Sequence, residues 1–292
     1  QTFITTKDNF TNNSNVVDID LSGTIGDAAA VDTLSTDIRA LSGGTAEINL
    51  TGVTAISGTF AQLETIIDDS GAVGSNSKFS GVAAQALTED SGGTISVANA
   101  NKLSGATTGK VTATITTGSL ATLNGLSAAA QPANGDAFAL TLNDTSVDAG
   151  DLATLDSKVD QAGGGSINMN TVVKLTGTLT EAQTFITTKD NFTNNSNVVD
   201  VTLDAAAIGD ASDLTTLSTD IRALGGGTAE LDLTNITAIT GDFSSLNTII
   251  SNSGAVGSNE KFSGIAAQAI TANDATITCL LYTSDAADEG WC

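Results

Sequence analysis

The sequence predicts an α/β fold: a repeat solenoid of strand–helix coils, each about 30 residues long, with one face of a parallel sheet exposed. Three observations lead to this prediction. Residues 1–18 recur without change as residues 183–200. Helix-start signals recur about every 30 residues, and short stretches with the two-residue period of a strand lie between them. A parallel β-helix without true helices is the alternative fold.

The long duplication defines the organisation of the chain. Residues 1–182 are one long copy and residues 183–278 are a partial second copy, so we expect residues 1–278 to form one continuous solenoid. Expected core positions keep their apolar character between copies, as where Leu87 becomes Ile270, whereas many polar positions change. Close-packed interiors tolerate swaps of similar volume. The pattern therefore favours a structural scaffold over an active site.

Residues 279–292 are interpreted as a non-native tail. They contain both cysteines, the only tryptophan and the only tyrosine of the chain. The stretch CLLYTSDAADE resembles a translated sequencing-adapter sequence from DNA library preparation. We therefore expect this segment to form no part of the fold.

The helices are expected to begin at eight places where a small residue, polar in all but the first, precedes an apolar one. These pairs are Ala30-Val31, Thr59-Phe60, Ser96-Val97, Ser119-Leu120, Asp151-Leu152, Thr178-Leu179, Asp213-Leu214 and Asp242-Phe243. A small polar side chain accepts a hydrogen bond from a free N–H group of the first turn. Thr59 with Gln62, and Thr178 with Glu181, also have capping-box spacing. Glycines at 43–44 and 225–227 should end two helices.

The strands are expected where apolar and polar residues alternate. These stretches are residues 17–21, 46–50, 111–116, 138–143, 167–170, 199–204 and 229–234. Fully buried parallel strands usually read as continuous apolar runs, so alternation predicts one sheet face covered by helices and one face in water. We expect one strand per coil, lying beside the strand of the next coil.

The outward strand positions form a predicted ladder of polar side chains. Its members are Asp18, Asp20, Glu47, Asn49, Thr112, Thr114, Thr141, Asn143, Asn168, Asn170, Asp200, Thr202, Glu230 and Asp232. The preferred interpretation is a solvated sheet face. Binding of glycans or cations, or of ice where threonines alternate, is the functional alternative.

Calcium is the one metal for which the sequence offers a candidate cluster. Its oxygen-bearing side chains are Asp8, Asn9, Asn12, Asn13, Asn15 and Asp18, repeated within residues 190–200. The calcium nonapeptide and the EF-hand loop are both missing, and Asn and Asp are equally typical of turns, which is the preferred interpretation. Asp68 and Asp69 are poorer candidates, because the second copy has Ser251 and Asn252. No cofactor is predicted, with calcium as the alternative.

Composition argues against several function classes. The chain has no histidine, and no cysteine once the tail is excluded, so the usual general base and thiol nucleophile are missing. We assign no catalytic, cofactor-binding or metal-binding residue and expect no enzyme. A net charge of −23 disfavours nucleic acid and anionic membrane surfaces as partners. No apolar run reaches the length of about 18 residues that a membrane span needs.

Two segments carry a resemblance to a known class of protein. VTATITTGSLATLNGL, residues 111–126, and TSVDAGDLATLDSKV, residues 145–159, resemble repeat regions of giant secreted or cell-surface, adhesin-like proteins of aquatic bacteria. The resemblance implies an extracellular spacer or adhesion segment. A calcium-dependent glycan- or surface-binding module is the alternative.

The expected partners are neighbouring repeats of the same chain and surface glycans or other cell-surface molecules. The chain begins in mid-repeat and Met169 is its only methionine, so we expect a fragment of a longer protein.

Overall fold

The computed structural model describes residues 18–127, 136–198, 200–258 and 260–273. The expected non-native tail, and Asp8 to Asn15 of the oxygen-rich cluster, lie outside these ranges. The protein is an α/β protein in which every pairing between described strands is parallel. No helix within these ranges combines the length and apolar character needed to cross a membrane.

The described ranges contain strands β1 to β18 and α-helices α1 to α8. The strands are Asp18–Ile25, Glu47–Gly58, Ser70–Gly71, Phe79–Ser80, Ala86–Glu89, Val111–Thr114, Ala137–Thr141, Ser146–Asp148, Ser166–Asn168, Lys174–Gly177, Phe192–Thr193, Asp200–Leu203, Ala207–Ile208, Glu230–Asp232, Ala238–Gly241, Ser253–Gly254, Phe262–Ser263 and Ala269–Ala272. The helices are Ala28–Leu41, Phe60–Asp68, Val97–Ala106, Leu120–Leu123, Ala149–Asp156, Leu179–Thr188, Ala211–Leu224 and Phe243–Ser251. Each of the seven expected strand stretches contains a strand. The helices favour the strand–helix arrangement over a β-helix without helices.

The chain divides into two compact units. The first comprises the described parts of residues 1–143, 154–169 and 191–193, and the second those of residues 144–153, 170–190 and 194–292. The first unit contains a nine-stranded sheet in the order β11-β9-β7-β6-β5-β2-β4-β3, with β1 also paired to β2. The second contains a six-stranded sheet, β16-β17-β14-β12-β10-β8, and a three-stranded sheet, β13-β15-β18.

The cores consist of apolar columns that run across neighbouring strands. In the second unit one such column crosses five strands, and each of its side chains is at most 4% exposed: Val147, Leu175, Val201, Leu231 and Phe262. In the first unit Ile56, Leu87 and Val111 form an equivalent column. A register slip of one residue would turn these side chains to the opposite face, so the apolar pattern fixes the register.

Several segments between helices contain two or three strands, so the prediction of one strand per coil is wrong there. Strands β4 and β5 both lie between α2 and α3, and β14 and β15 both lie between α7 and α8. Each of these strands is only two to four residues long. Strand β14 lies within a predicted stretch, whereas β4, β5 and β15 do not, because they end before a two-residue period can be recognised.

Five of the eight expected helix starts are confirmed by N-cap hydrogen bonds. The capping residues are Thr59, Ser96, Ser119, Thr178 and Asp242. Both expected capping boxes are present.

The other three helices begin three residues earlier than expected, because their first residues were expected at Val31, Leu152 and Leu214. Helix α1 starts at Ala28 after Asp27, helix α7 starts at Ala211 after Asp210, and helix α5 starts at Ala149. All three first residues are buried alanines, whose small side chains contribute little to an apolar pattern. The glycine stop of α1 is confirmed: Gly44 has φ +94° and its N–H donates to the Arg39 carbonyl at 2.8 Å.

Candidate functional site

Most side chains of the expected ladder are exposed or half-buried, but Glu47 and Glu230 are not. Each is only 3% exposed, so the prediction of a solvated position is wrong for both. Each carboxylate is hydrogen-bonded by the loop that follows the next helix. We call residues 70–78 and 253–261 the clamped loops; residue 259 lies outside the described ranges.

The buried carboxylates hold the clamped loops through their backbone. Gly74 N–H lies 3.0 and 3.1 Å from the two carboxylate oxygens of Glu47, and Ser80 Oγ donates to the same side chain at 2.5 Å. Gly257 N–H makes the same bonds to Glu230 at 2.9 and 3.1 Å. Charge-assisted hydrogen bonds of this kind offset the cost of removing a carboxylate from water. Both glycines have φ +80°, a conformation that other residues rarely adopt.

An arginine and a lysine also hold the first clamped loop. Arg39 Nη1 donates to the carbonyl of Ala46 at 2.8 Å and to that of Asn76 at 3.3 Å. Lys78 Nζ lies 2.6 Å from a carboxylate oxygen of Asp69, so the first clamped loop is held at both ends.

In the second copy Arg222 Nη1 donates to the carbonyl of Ala229 at 2.9 Å. This bond repeats the one from Arg39 to Ala46 in the first copy.

Each clamped loop presents an apolar tip. Val73 is 64% exposed and Val256 is 62% exposed. The loop sequence SGAVGSN is identical in both copies, although the residues just before it differ. Identity in an exposed segment is the sequence signal that would have identified these loops. An apolar tip on a held backbone can make contacts but can perform no acid–base or nucleophilic chemistry.

Ladder side chains of neighbouring strands also bind one another. Asn49 Nδ2 donates to Asp20 at 2.9 Å, and Thr202 Oγ1 donates to Asp232 at 3.2 Å. Such cross-strand pairs stabilise a sheet. The ladder is therefore partly a set of structural ties as well as a solvated face.

The repeated oxygen-rich segment, residues 190–200, uses its asparagines as hydrogen-bond donors. Asn195 Nδ2 donates to the Lys189 carbonyl at 2.6 Å, and Asn197 Nδ2 donates to the Asn170 carbonyl at 2.8 Å. Asn194 has φ +59°, the left-handed conformation that asparagine tolerates in turns. This geometry is that of a structural turn.

Asp68 and Asp69, the poorer calcium candidates, both contact lysines. Lys102 Nζ lies 2.8 Å from Asp68, and Lys78 Nζ lies 2.6 Å from Asp69. Their carboxylates therefore serve as partners in ion pairs.

A carboxylate cluster that the sequence did not suggest lies in the second unit. Asp148, Glu181 and Asp204 each place one carboxylate oxygen within 4.8 Å of the others. Asp148 accepts hydrogen bonds from the N–H groups of Gly150 and Asp151, and Glu181 completes the capping box of Thr178, whereas Asp204 is exposed. The three residues lie far apart in the sequence, so no local motif marks them.

A second charged cluster lies in the first unit. Lys110 Nζ is 2.7 Å from Asp160, and this hydrogen bond lowers the pKa of Asp160. Burial raises the pKa of the neighbouring Asp136, which is 0% exposed and accepts hydrogen bonds from Ser104 Oγ at 2.6 Å and Val111 N–H at 2.9 Å. The cluster therefore contains two carboxyl groups whose pKa values are shifted in opposite directions.

Comparison with known proteins assigns no relative. No family model, no curated protein and no solved structure matches the chain. The function of the chain is therefore inferred from its own geometry.

Proposed function

We propose that the chain is a solenoid segment of a large extracellular bacterial surface protein, serving as a structural spacer and adhesion surface. Parallel strands that pair 24 to 31 residues apart support the solenoid, because each turn of chain then stacks on the one before it. The expected partners are neighbouring repeats and molecules of other surfaces. No catalytic role is assigned.

The recurrence of the clamped loop is the observation that carries the adhesion part of this proposal. Two buried glutamates hold two loops of the same sequence, and each loop presents a valine exposed to nearly the same degree. An enzyme needs one complete site, whereas an adhesive spacer gains from many weak and regularly spaced contacts, because linked contacts raise the overall binding strength.

Small-angle X-ray scattering tests the spacer. Residues 1–278 are compared with a chain lengthened by one additional copy of residues 1–182. A solenoid grows along one axis, so we expect the maximum dimension to increase in proportion to chain length while the cross-sectional radius stays constant. An increase in the cross-sectional radius would contradict the proposal.

Adsorption to polystyrene particles tests the adhesion surface. We expect the double variant Val73→Ser, Val256→Ser to adsorb several-fold less than the unaltered chain, because it loses both apolar tips. Val173→Ser is the matched control, since Val173 is 44% exposed but lies outside the clamped loops. Equal adsorption of all three chains would remove the clamped loops from the adhesion role.

A calcium-dependent binding module is the second candidate, favoured by the Asp148, Glu181 and Asp204 cluster. Carboxylate oxygens are the ligands that calcium prefers. If calcium binds there, the melting temperature rises at about 1 mM calcium, since a ligand of the folded state stabilises it. Asp204→Asn should abolish this rise without removing a helix cap. No rise in the unaltered chain would exclude the module.

A further inference from the structure

Among the described strands, β18 has an open edge, whereas its counterpart in the first copy is paired on both sides. In the three-stranded sheet β18 is the last strand and pairs only with β15 among the described strands. The counterpart β5 pairs with β2 on one side and with β6 on the other. Among the described residues, the same coil sequence is therefore seen once with a covering coil and once without one.

The two copies also differ in how deeply they bury matching apolar side chains. Leu87 in β5 is 1% exposed, whereas the matching Ile270 in β18 is 39% exposed. On the preceding helix, Ile67 is half-buried and the matching Ile250 is 50% exposed. Apolar side chains that are buried in one copy and exposed in the other mark a surface built to be covered.

The first copy shows which kind of chain covers this surface. Leu87 N–H donates to the Lys110 carbonyl at 2.9 Å, and Leu87 pairs with Val111 of β6. Gly109 approaches so closely that a Cβ there would lie 2.3 Å from the carbonyl oxygen of Gln85. The covering strand therefore needs a glycine just before it begins.

The open edge of β18 also presents its backbone in the right direction. Ala269 N–H and Asn273 N–H both donate towards β15, to the carbonyls of Thr237 and Gly241. N–H groups alternate in direction along a strand, so that of Ile270 points to the open side, as that of Leu87 does. An unpaired edge of this kind is a template for another strand.

We propose that the edge of β18, together with Ile250 and Ile270, binds one further strand–helix coil with the sequence pattern of residues 97–114. This inference rests on the proposed solenoid and names the partner of its open edge. The further coil must have a glycine at the position that Gly109 occupies in residues 97–114.

The further coil does not need a cation at the position that Lys102 occupies in residues 97–114. In the first copy Lys102 pairs with Glu64 and Asp68. Their counterparts in the second copy are Asn247 and Ser251, which carry no charge.

Grafting tests the proposal. Residues 279–292 are replaced by a second copy of residues 97–126, joined after Thr278. The sequence Thr276-Ile277-Thr278 resembles Thr94-Ile95-Ser96, which leads into the helix that covers the first copy. We expect the amide hydrogen of Ile270 to exchange at least about tenfold more slowly in the grafted chain, because it gains a strand partner.

The matched control is the same graft carrying Gly109→Val within the added segment. Slow exchange at Ile270 in the first graft and unchanged exchange in the control would support the proposal. Unchanged exchange in the first graft overturns it, whether or not the added segment folds. Equal slowing in both grafts overturns it too, because docking would then not depend on this coil pattern. The scattering experiment tests the solenoid separately, so the two failures are distinguishable.

Discussion

The segments 47–90 and 230–273 have closely similar sequences but bury different parts of them. Both bury a glutamate that holds a clamped loop, and both bury the phenylalanine that follows it, Phe79 or Phe262. Only the first segment buries the apolar residue of its last strand: Leu87 is buried, whereas the matching Ile270 of the second segment is exposed. Contacts within a coil thus follow from its own sequence, whereas burial of its outer face depends on the next coil.

The largest expected effect is a difference in stability between the alanine variants of Leu87 and Ile270. Leu87→Ala should lower the free energy of unfolding by about 3 kcal/mol, because it leaves a cavity in a closed core. Ile270→Ala should cost less than about 1 kcal/mol, since its side chain already meets water. Urea unfolding of both variants measures the difference. Equal losses would contradict the dependence on a covering coil.

A smaller effect is expected at the serines beside the two buried glutamates. Ser80 Oγ donates to Glu47, whereas Ser263 Oγ is buried and has no hydrogen-bond partner among the described residues. Ser80→Ala should therefore destabilise by about 1 kcal/mol, and Ser263→Ala should be neutral or slightly stabilising. Thermal unfolding of the pair provides the measurement, and a loss in Ser263→Ala as large as that in Ser80→Ala would show that the two sites are equivalent.

The smallest effect concerns pH, and its source, Asp136, lies in a part of the first copy that has no counterpart in the partial second copy. Burial raises the pKa of Asp136, so its contribution to stability is present below the unfolded pKa and is lost as the pH rises through the folded pKa. Asp136→Asn should therefore be more stable than the unaltered chain at about pH 7, with a gain smaller than the losses above. Thermal melts between about pH 3 and pH 8 measure this.

Asp160 should act in the opposite direction. The pKa of Asp160 is lowered by Lys110, so its contribution to stability is present above the unfolded pKa and is lost as the pH falls through the folded pKa.

The control for Asp136→Asn is Asp90→Asn, which changes an exposed carboxylate. A pH profile unchanged by Asp136→Asn would contradict the assignment of Asp136.

The parts of the fold that the sequence predicts are those with a local physical cause. Thr59 and Ser96 cap helices because an oxygen one bond beyond Cβ reaches a free N–H group of the first turn, and that chemistry is visible in the sequence. The burial of Glu47 was missed because it depends on Gly74, 27 residues away. The strand period places Glu47 on the outer face correctly but contains no information on the loop that covers that face.

The candidate site was missed for a related reason. The cluster of Asp148, Glu181 and Asp204 forms only when separate coils stack, so no spacing in the sequence marks it. The asparagines within residues 190–200 are a case in which composition alone left two interpretations open, a turn or a calcium site; two of their amide nitrogens donate to backbone carbonyls, as in a turn.

The register of the first strand has a consequence for how such a chain can change length. β1 is continuous but shifts register against β2 between Asp20 and Ser22 and again between Gly23 and Thr24. At this place the second copy contains one extra residue, and its chain there forms the two separate strands β12 and β13. The irregular part of the strand accommodates the extra residue, so the apolar faces on either side keep their orientation. A difference of one residue in chain length at this position therefore leaves the packing of the coils on either side unchanged.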